Sequence, residues 1–192
     1  MNITANDADN QTLSWFSVPS DEHVVQFYVY DDTLLDTLVE FIGNGLKRRE
    51  TCIVVATKSH ALQLDERLKD HANTRFAKLR GDYIVLDAHA TLANFMVDGT
   101  LDKEKFADTV GSAMAKAASR GRPIRAFGEM VALLWKQGNK AAMIELEELW
   151  NELAETYNFS LYCAYPKLYF DNEEHAAAMN QIASCHHALP RA

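Results

Sequence analysis

The chain has 192 residues, of which 48% are apolar, and its 27 Asp and Glu against 19 Lys and Arg give a formal charge of −8. This composition is that of an ordinary globular protein, which excludes collagen, coiled coils and wholesale disorder. The negative charge disfavours direct nucleic-acid binding, because phosphate contacts need clustered Lys and Arg, and no apolar run approaches the ~20 residues of a membrane span.

The amino-terminal residues are dominated by Asn, Asp, Thr and Ser, with no Lys or Arg before residue 21. Such a stretch lacks the features of a signal peptide, so we predict a mobile tail at 1–20 and one domain at 21–192. The three cysteines, Cys52, Cys163 and Cys185, form no C-x-x-C pair and are odd in number. Their pattern favours a reducing, cytoplasmic compartment.

The first half of the chain alternates between apolar strands and amphipathic helices. A β-branched and aromatic run predicts a strand at 24–29, and apolar residues at helical spacing from Leu34 to Leu46 predict the helix after it. Asp31, Asp32 and Thr33 are candidate caps of that helix. The other elements predicted in this half are strands at 51–57 and 83–86, a helix capped by Ser59, and helices at 88–96 and 103–120 with a break at 98–100.

The same alternation of strands and helices resumes after Gly121-Arg122-Pro123, a segment typical of a turn. Strands that read as continuous apolar runs between helices indicate a mainly parallel sheet covered on both faces. The sequence thus predicts a three-layer α/β domain with five or more strands. The elements predicted here are strands at 124–127 and 159–165 and helices at 130–135, 141–157 and 173–189.

Candidate functional residues follow the predicted strands. In an open α/β sheet, ligands bind outside the carboxyl ends of the strands. The residues at these positions are rich in tyrosine, histidine and carboxylates, and a tryptophan beside them would wall an apolar pocket. We therefore predict a ligand-binding rim formed by Tyr28, Tyr30, Asp31, Lys58, His60, Asp87, His89, Glu129, Trp135 and Tyr165.

Several of these residues also have a simpler structural interpretation. Asp31 and Asp87 are of a type preferred at helix N-termini, where they cap the backbone. Trp135 occupies a helical position that is more often core than ligand cage. Cys163 lies inside a strand rather than at its end, which favours core packing over nucleophilic catalysis.

The sequence disfavours nucleotide hydrolysis. The first strand-to-helix turn, residues 30–33 (YDDT), has neither the glycines nor the lysine of a phosphate-binding loop, and its two carboxylates would repel phosphate. The only G-x-G, at residues 43–45, lies late in the first predicted helix instead of after a strand. We predict no cofactor.

A metal site is a sharper hypothesis about the same rim. Three different predicted strands are followed by His60, His89 and Glu129. Two histidines with one carboxylate would suit iron. Nothing in their spacing enforces convergence, so isolated surface histidines remain the simpler interpretation.

Several segments resemble one known family in their order and spacing. They are residues 23–28 (HVVQFY), 41–46 (FIGNGL), 86–88 (LDA), 95–99 (FMVDG), 125–131 (RAFGEMV) and 161–166 (LYCAYP). Together they resemble the MEDS domain, the sensory domain named for methanogens, methylotrophs and the dichloromethane regulator DcmR, over about residues 22–190. The resemblance implies a RecA/KaiC-like fold without the phosphate-binding (Walker A) loop. It also implies a signalling input module that senses small hydrocarbon derivatives.

Three functions stay open on the sequence. The first is a freestanding cytoplasmic sensory domain that binds a small, hydrocarbon-derived ligand or a partner protein. Such a domain would regulate a signalling or transcription output in trans, through a histidine kinase or a regulator, because the predicted domain fills the chain. The second is a degenerate RecA-like or metal-dependent hydrolase. The third is a ligand-free interaction module, for which a homodimer is one arrangement.

Overall fold

A five-stranded parallel sheet organises the computed structural model, which describes residues 22–170 and Ile182. The predicted tail, Cys185 and all of the predicted last helix except Ile182 lie outside these residues. The strands are β1 His23–Tyr28, β2 Thr51–Ala56, β3 Tyr83–Asp87, β4 Met96–Val97, β5 Thr100–Leu101, β6 Ile124–Gly128 and β7 Phe159–Pro166.

Helices connect the strands and cover the sheet. They are α1 Asp31–Lys47, α2 Lys58–Leu68, α3 Thr74–Arg80, α4 Ala88–Phe95, α5 Lys103–Phe106, α6 Ser112–Ala118, α7 Met130–Lys136 and α8 Lys140–Thr156. A π-helical segment, Ala107–Gly111, joins α5 to α6 without interruption, and a short 3-10 helix, Lys167–Phe170, follows β7. Among the described residues, no helix combines the length and apolar character needed to cross a membrane.

The strand order is β1-β7-β6-β2-β3, and every neighbouring pair is parallel. All six residues of β2 are buried, because helices cover both faces of the sheet. Side chains alternate between two cores: Ile53 and Val55 face α4–α8, whereas Cys52 and Val54 face α1–α3. The predicted three-layer α/β fold is confirmed.

The caps of α1 and α2 differ from the prediction. Tyr30, with extended backbone angles, is the N-cap of α1, and Asp31 and Asp32 lie in its first turn. Thr57 rather than Ser59 caps α2, and its side chain accepts a hydrogen bond from the backbone of the first turn. The capping predictions for these residues are therefore wrong, because the helices begin one or two residues away from the expected positions.

Two small elements were not predicted. Helix α3 has seven residues and buries only Ala77, so it carries no apolar periodicity that a sequence pattern would show. The predicted break at 98–100 is the turn of a two-stranded antiparallel hairpin, β4–β5. Asp98 and Gly99 both have positive φ there, which the tight turn requires.

Candidate functional site

A pocket of about 280 Å³ lies at the carboxyl ends of β1, β2, β6 and β7. The predicted rim is therefore the place where a concave surface forms, as expected for a parallel sheet. Most of the pocket wall is apolar or aromatic, with contributions from α7 and from the segment after β7. The apolar and aromatic residues on the wall include Tyr28, Val29, Ala132, Leu133, Leu168 and Tyr169.

Glu129 supplies the buried charge of the pocket. It follows β6 directly, is 4% exposed, and its backbone N–H donates to Val55 O at 3.1 Å, which extends the β6–β2 pairing by one residue. One carboxylate oxygen accepts the backbone N–H of Thr57. The other lies 2.6 Å from Nδ1 of His60. The carboxylate is thus fixed across the ends of two neighbouring strands.

His60 lies in the first turn of α2, between two acidic side chains. Its Nδ1 contacts Glu129, and its Nε2 is 3.6 Å from Oδ2 of the exposed Asp31. The hydrogen bond to Glu129 raises the pKa of His60, and it outweighs the opposing effect of burial. The geometry therefore favours an imidazolium held by a buried carboxylate.

Tyr28 presents a neutral hydroxyl to the same pocket. Burial raises the pKa of Tyr28 far above its usual value, and the carboxylates of Glu129 and Asp31 act in the same direction. Lys136, two turns along α7 from Glu129, adds a cation to the wall. The pocket thus combines apolar walls with balanced charges and a neutral hydrogen-bonding hydroxyl.

The structure brings together four of the predicted site residues: Tyr28, Asp31, His60 and Glu129 line the pocket. The other six lie outside its lining. Asp87 caps α4, and its carboxylate accepts a hydrogen bond from the Ala90 N–H at 2.8 Å. This is the helix-capping role that the sequence also allowed for Asp87. The exposed residues among these six are Tyr30, Lys58, Asp87 and His89.

Trp135 and Tyr165 are core residues and do not form part of the pocket wall. The indole N–H of Trp135 donates to Tyr169 O at 3.2 Å, and its ring stacks on Phe170. Tyr165 is fully buried, and its hydroxyl donates to Glu147 on α8 at 2.5 Å. Side chains alternate along a strand, so Tyr165 turns to the α4–α8 face although it lies near the strand end.

The hypothetical iron site does not assemble, and isolated histidines, the simpler interpretation, stand. The ligand atoms of His60, His89 and Glu129 are not all within 4.8 Å of one another. Among the described residues, the group that meets this condition is His23, Glu147 and Cys163, all of them buried. Cys163 is a core residue, as predicted, but its polar neighbours were not foreseen.

Other wall residues were missed because sequence reasoning stopped at the strand ends. Lys136 lies seven residues after Glu129 and hence on the same helix face, a spacing that would have revealed it. Leu168 and Tyr169 belong to the 3-10 helix beyond Pro166, which carries no sequence signal of its own.

One family model matches the chain: the MEDS model, described as MEthanogen/methylotroph, DcmR Sensory domain, matches residues 22–187. This range holds all of the described residues and coincides with the resemblance seen in the sequence. No curated protein matches the chain.

Proposed function

The chain belongs to the MEDS family of sensory domains, and on that basis we propose that it binds a small ligand in the pocket formed by Tyr28, His60, Glu129, Leu133 and Leu168. The observation that carries this proposal is the pair formed by the buried Glu129 and the partly buried His60, 2.6 Å apart, beside an apolar wall. Ligand sites in proteins typically combine apolar walls with a few fixed polar groups.

The dimensions and charges of the pocket limit the ligand class. A volume of about 280 Å³ is at the small end for ligand sites. The acidic Glu129 and Asp31 are balanced by His60 and Lys136, so the pocket suits a neutral molecule. We propose a small hydrocarbon derivative whose apolar part meets Leu133 and whose single polar group hydrogen-bonds at Tyr28 or His60.

The signal would pass from the pocket to another protein. Ligand binding favours the conformations in which the pocket wall is ordered around it, and this shifts the population of a partner-binding state. Val29, Tyr30 and Leu168 are more than half exposed beside the pocket and are suited to report its occupancy. We propose a cytoplasmic domain without catalytic activity that regulates a histidine kinase or a transcription regulator in trans.

Filling the pocket mouth tests this proposal. We expect dichloromethane or one of the straight-chain alcohols from methanol to hexanol to bind saturably, as measured by ligand-observed NMR. Leu168→Trp places a large ring at the mouth, so affinity should fall about tenfold or more, equivalent to about 1.4 kcal/mol.

Leu79→Trp is the matched control, because Leu79 is 78% exposed on α3 and does not line the pocket, whereas Leu168 is 63% exposed. The control should bind each probe like wild type. If no probe binds saturably, or if both variants lose affinity equally, the ligand proposal fails and a ligand-free interaction module replaces it.

A hydrolase is the second candidate, because a carboxylate paired with an imidazole is an arrangement that general acid–base catalysis uses. ATP turnover by the purified chain distinguishes the two functions. Turnover that disappears in Glu129→Gln would favour the hydrolase, whereas the sensory proposal expects no turnover in either protein.

A further inference from the structure

We propose that His23, Glu147 and Cys163 bind a divalent metal ion in the core, and that zinc is the ion they fit best. His23 begins β1, Cys163 lies in the middle of β7, and Glu147 projects from α8 onto this face of the sheet. None of the three lines the ligand pocket. The proposed ion is therefore separate from the sensory site.

The spacing of the three ligand atoms matches tetrahedral zinc. Nε2 of His23 lies 3.3 Å from Sγ of Cys163 and 3.4 Å from Oε2 of Glu147, and the sulfur and this oxygen are 3.6 Å apart. Zinc bonds of about 2.0–2.3 Å in a tetrahedral arrangement separate neighbouring ligand atoms by about 3.3–3.6 Å. One ion can thus reach all three atoms without rearrangement of the side chains.

The groups behind the ligands orient them toward a common point. Nδ1 of His23 lies 2.8 Å from Oδ1 of Asn151, which only accepts, so the ring proton is on Nδ1 and the Nε2 lone pair faces the other two ligands. Tyr165 donates its hydroxyl to Oε1 of Glu147, and Oε2 is the oxygen that faces His23 and Cys163. Histidine and carboxylate ligands in known metal sites are held by outer hydrogen bonds of this kind.

Burial and charge also favour a cation. His23 is 3% exposed, and Glu147 and Cys163 are fully buried. Taking a carboxylate out of water is costly unless a positive charge compensates it. Zn²⁺ bound to one carboxylate and one thiolate gives a neutral group. Sulfur, imidazole and carboxylate are all established zinc ligands, and these three fill three of the four positions of a tetrahedral site.

Metal analysis and cobalt substitution test the site. The chain, produced without a histidine tag, should retain about one zinc per molecule after gel filtration, measured by inductively coupled plasma mass spectrometry. Refolding with Co²⁺ in place of zinc should give a thiolate-to-cobalt charge-transfer band. Both signals should disappear in Cys163→Ser. They should persist in Cys52→Ser, since Cys52 is equally buried but lies on the other face of the sheet.

Asn151→Ala keeps all three ligands and removes the group that orients His23. It should weaken zinc binding by about 10–100-fold in a competition with a chromophoric chelator. Circular dichroism shows whether each variant folds. A folded wild-type chain that neither retains zinc nor gives the cobalt band would overturn the proposal. The same holds if Cys52→Ser loses the metal as completely as Cys163→Ser does.

Discussion

Glu129 and His60 show how two strand ends create one polar centre. Glu129 follows β6 and His60 follows β2, and these strands are neighbours in the sheet. The carboxylate is 4% exposed, so its contacts act in a medium of lower polarity than water. The imidazole thereby gains affinity for a proton, and the folded protein holds this proton more tightly than the unfolded chain does.

We expect Glu129 to control the protonation of His60. In NMR titration, wild type should show His60 titrating above the usual value of about 6.5, and Glu129→Gln should lower its pKa because the main stabilising hydrogen bond acceptor loses its charge. A raised histidine pKa stabilises the folded state below about pH 6.5, and this stabilisation is lost as the pH rises through the folded-state pKa. The stability difference between the two proteins should therefore shrink with rising pH.

Asp31→Asn is the matched control for that titration. Asp31 is 3.6 Å from Nε2 of His60 and its side chain is 67% exposed. Solvent weakens such interactions, so the control should lower the pKa of His60 less than Glu129→Gln does. An unchanged His60 pKa in Glu129→Gln would show that the carboxylate does not hold the proton.

The direction of the strands made it possible to predict which residues lie at the carboxyl edge of the sheet. Glu129 and His60 follow buried strands, and the carboxyl ends of parallel strands meet at one edge, so their place on one rim was predictable. Their direct contact was not, because it depends on β2 and β6 being neighbours in the sheet. Tyr165 was misplaced because a shift of one residue moves a strand side chain to the other face. The contacts of His23 with Cys163 bridge 140 positions, and no local pattern encodes such a contact.

At the scale of elements, Gly45 sets how closely α1 packs on the sheet, whereas the neighbouring Gly43 does not. A Cβ on Gly45 would lie 2.7 Å from Sγ of Cys52 on β2 and 2.8 Å from Cδ of Arg125 on β6. A Cβ on Gly43 would lie 3.4 Å from the nearest atom, a methyl of Leu68. The G-x-G of the sequence is thus a packing feature of a helix, consistent with its exclusion as a nucleotide-binding motif.

These distances predict opposite outcomes for two alanine substitutions. Gly45→Ala should lower the free energy of unfolding by about 1–3 kcal/mol, because overpacking forces the sheet and helix apart. Gly43→Ala should leave it unchanged or raise it by up to about 1 kcal/mol, because alanine favours the helix and meets only ordinary contact distances. Urea denaturation measures both. Equal destabilisation would mean that the close approach of α1 at Gly45 is not what the substitution disturbs.

Elements that bury a large apolar face were predicted from the sequence, and elements that bury few side chains were not. The long helices α1 and α8 and the apolar strands were found within one or two residues, because an apolar stripe or run records the face that each element buries. Helix α3 and the β4–β5 hairpin were missed, since they bury few side chains. The caps of α1 and α2 were wrong because several polar residues near each helix start are chemically suitable, and the backbone selects among them.

At the scale of the whole molecule, Asp82 connects segments that are distant in sequence. It is 5% exposed, between α3 and β3, and its backbone pairs with Ala77 and Cys52. Its carboxylate accepts hydrogen bonds from three arginines, two of which lie in the connection before β6: Arg80, Arg120 and Arg122. Arg122 above all holds the pKa of Asp82 below its usual range. This cluster fixes the amino ends of β3 and β6 in a chain of net charge −8.

Removing this carboxylate should destabilise the whole domain in a pH-dependent way. Asp82→Asn should lower the free energy of unfolding by about 1.5–3 kcal/mol at neutral pH, the range for hydrogen bonds to charged groups. A depressed carboxyl pKa contributes stability above the unfolded-state value of about 3.9 and loses it as the pH falls through the folded-state pKa. The difference between wild type and variant should therefore be constant near neutrality and shrink below about pH 4.

Glu152→Gln is the control, because the 3.3 Å contact of Glu152 with Lys103 joins two side chains that are each more than half exposed. Such a contact adds little to stability, so this variant should change the free energy of unfolding by less than about 0.5 kcal/mol. A pH-independent difference for Asp82→Asn would show that the arginines do not depress the pKa of this carboxyl group.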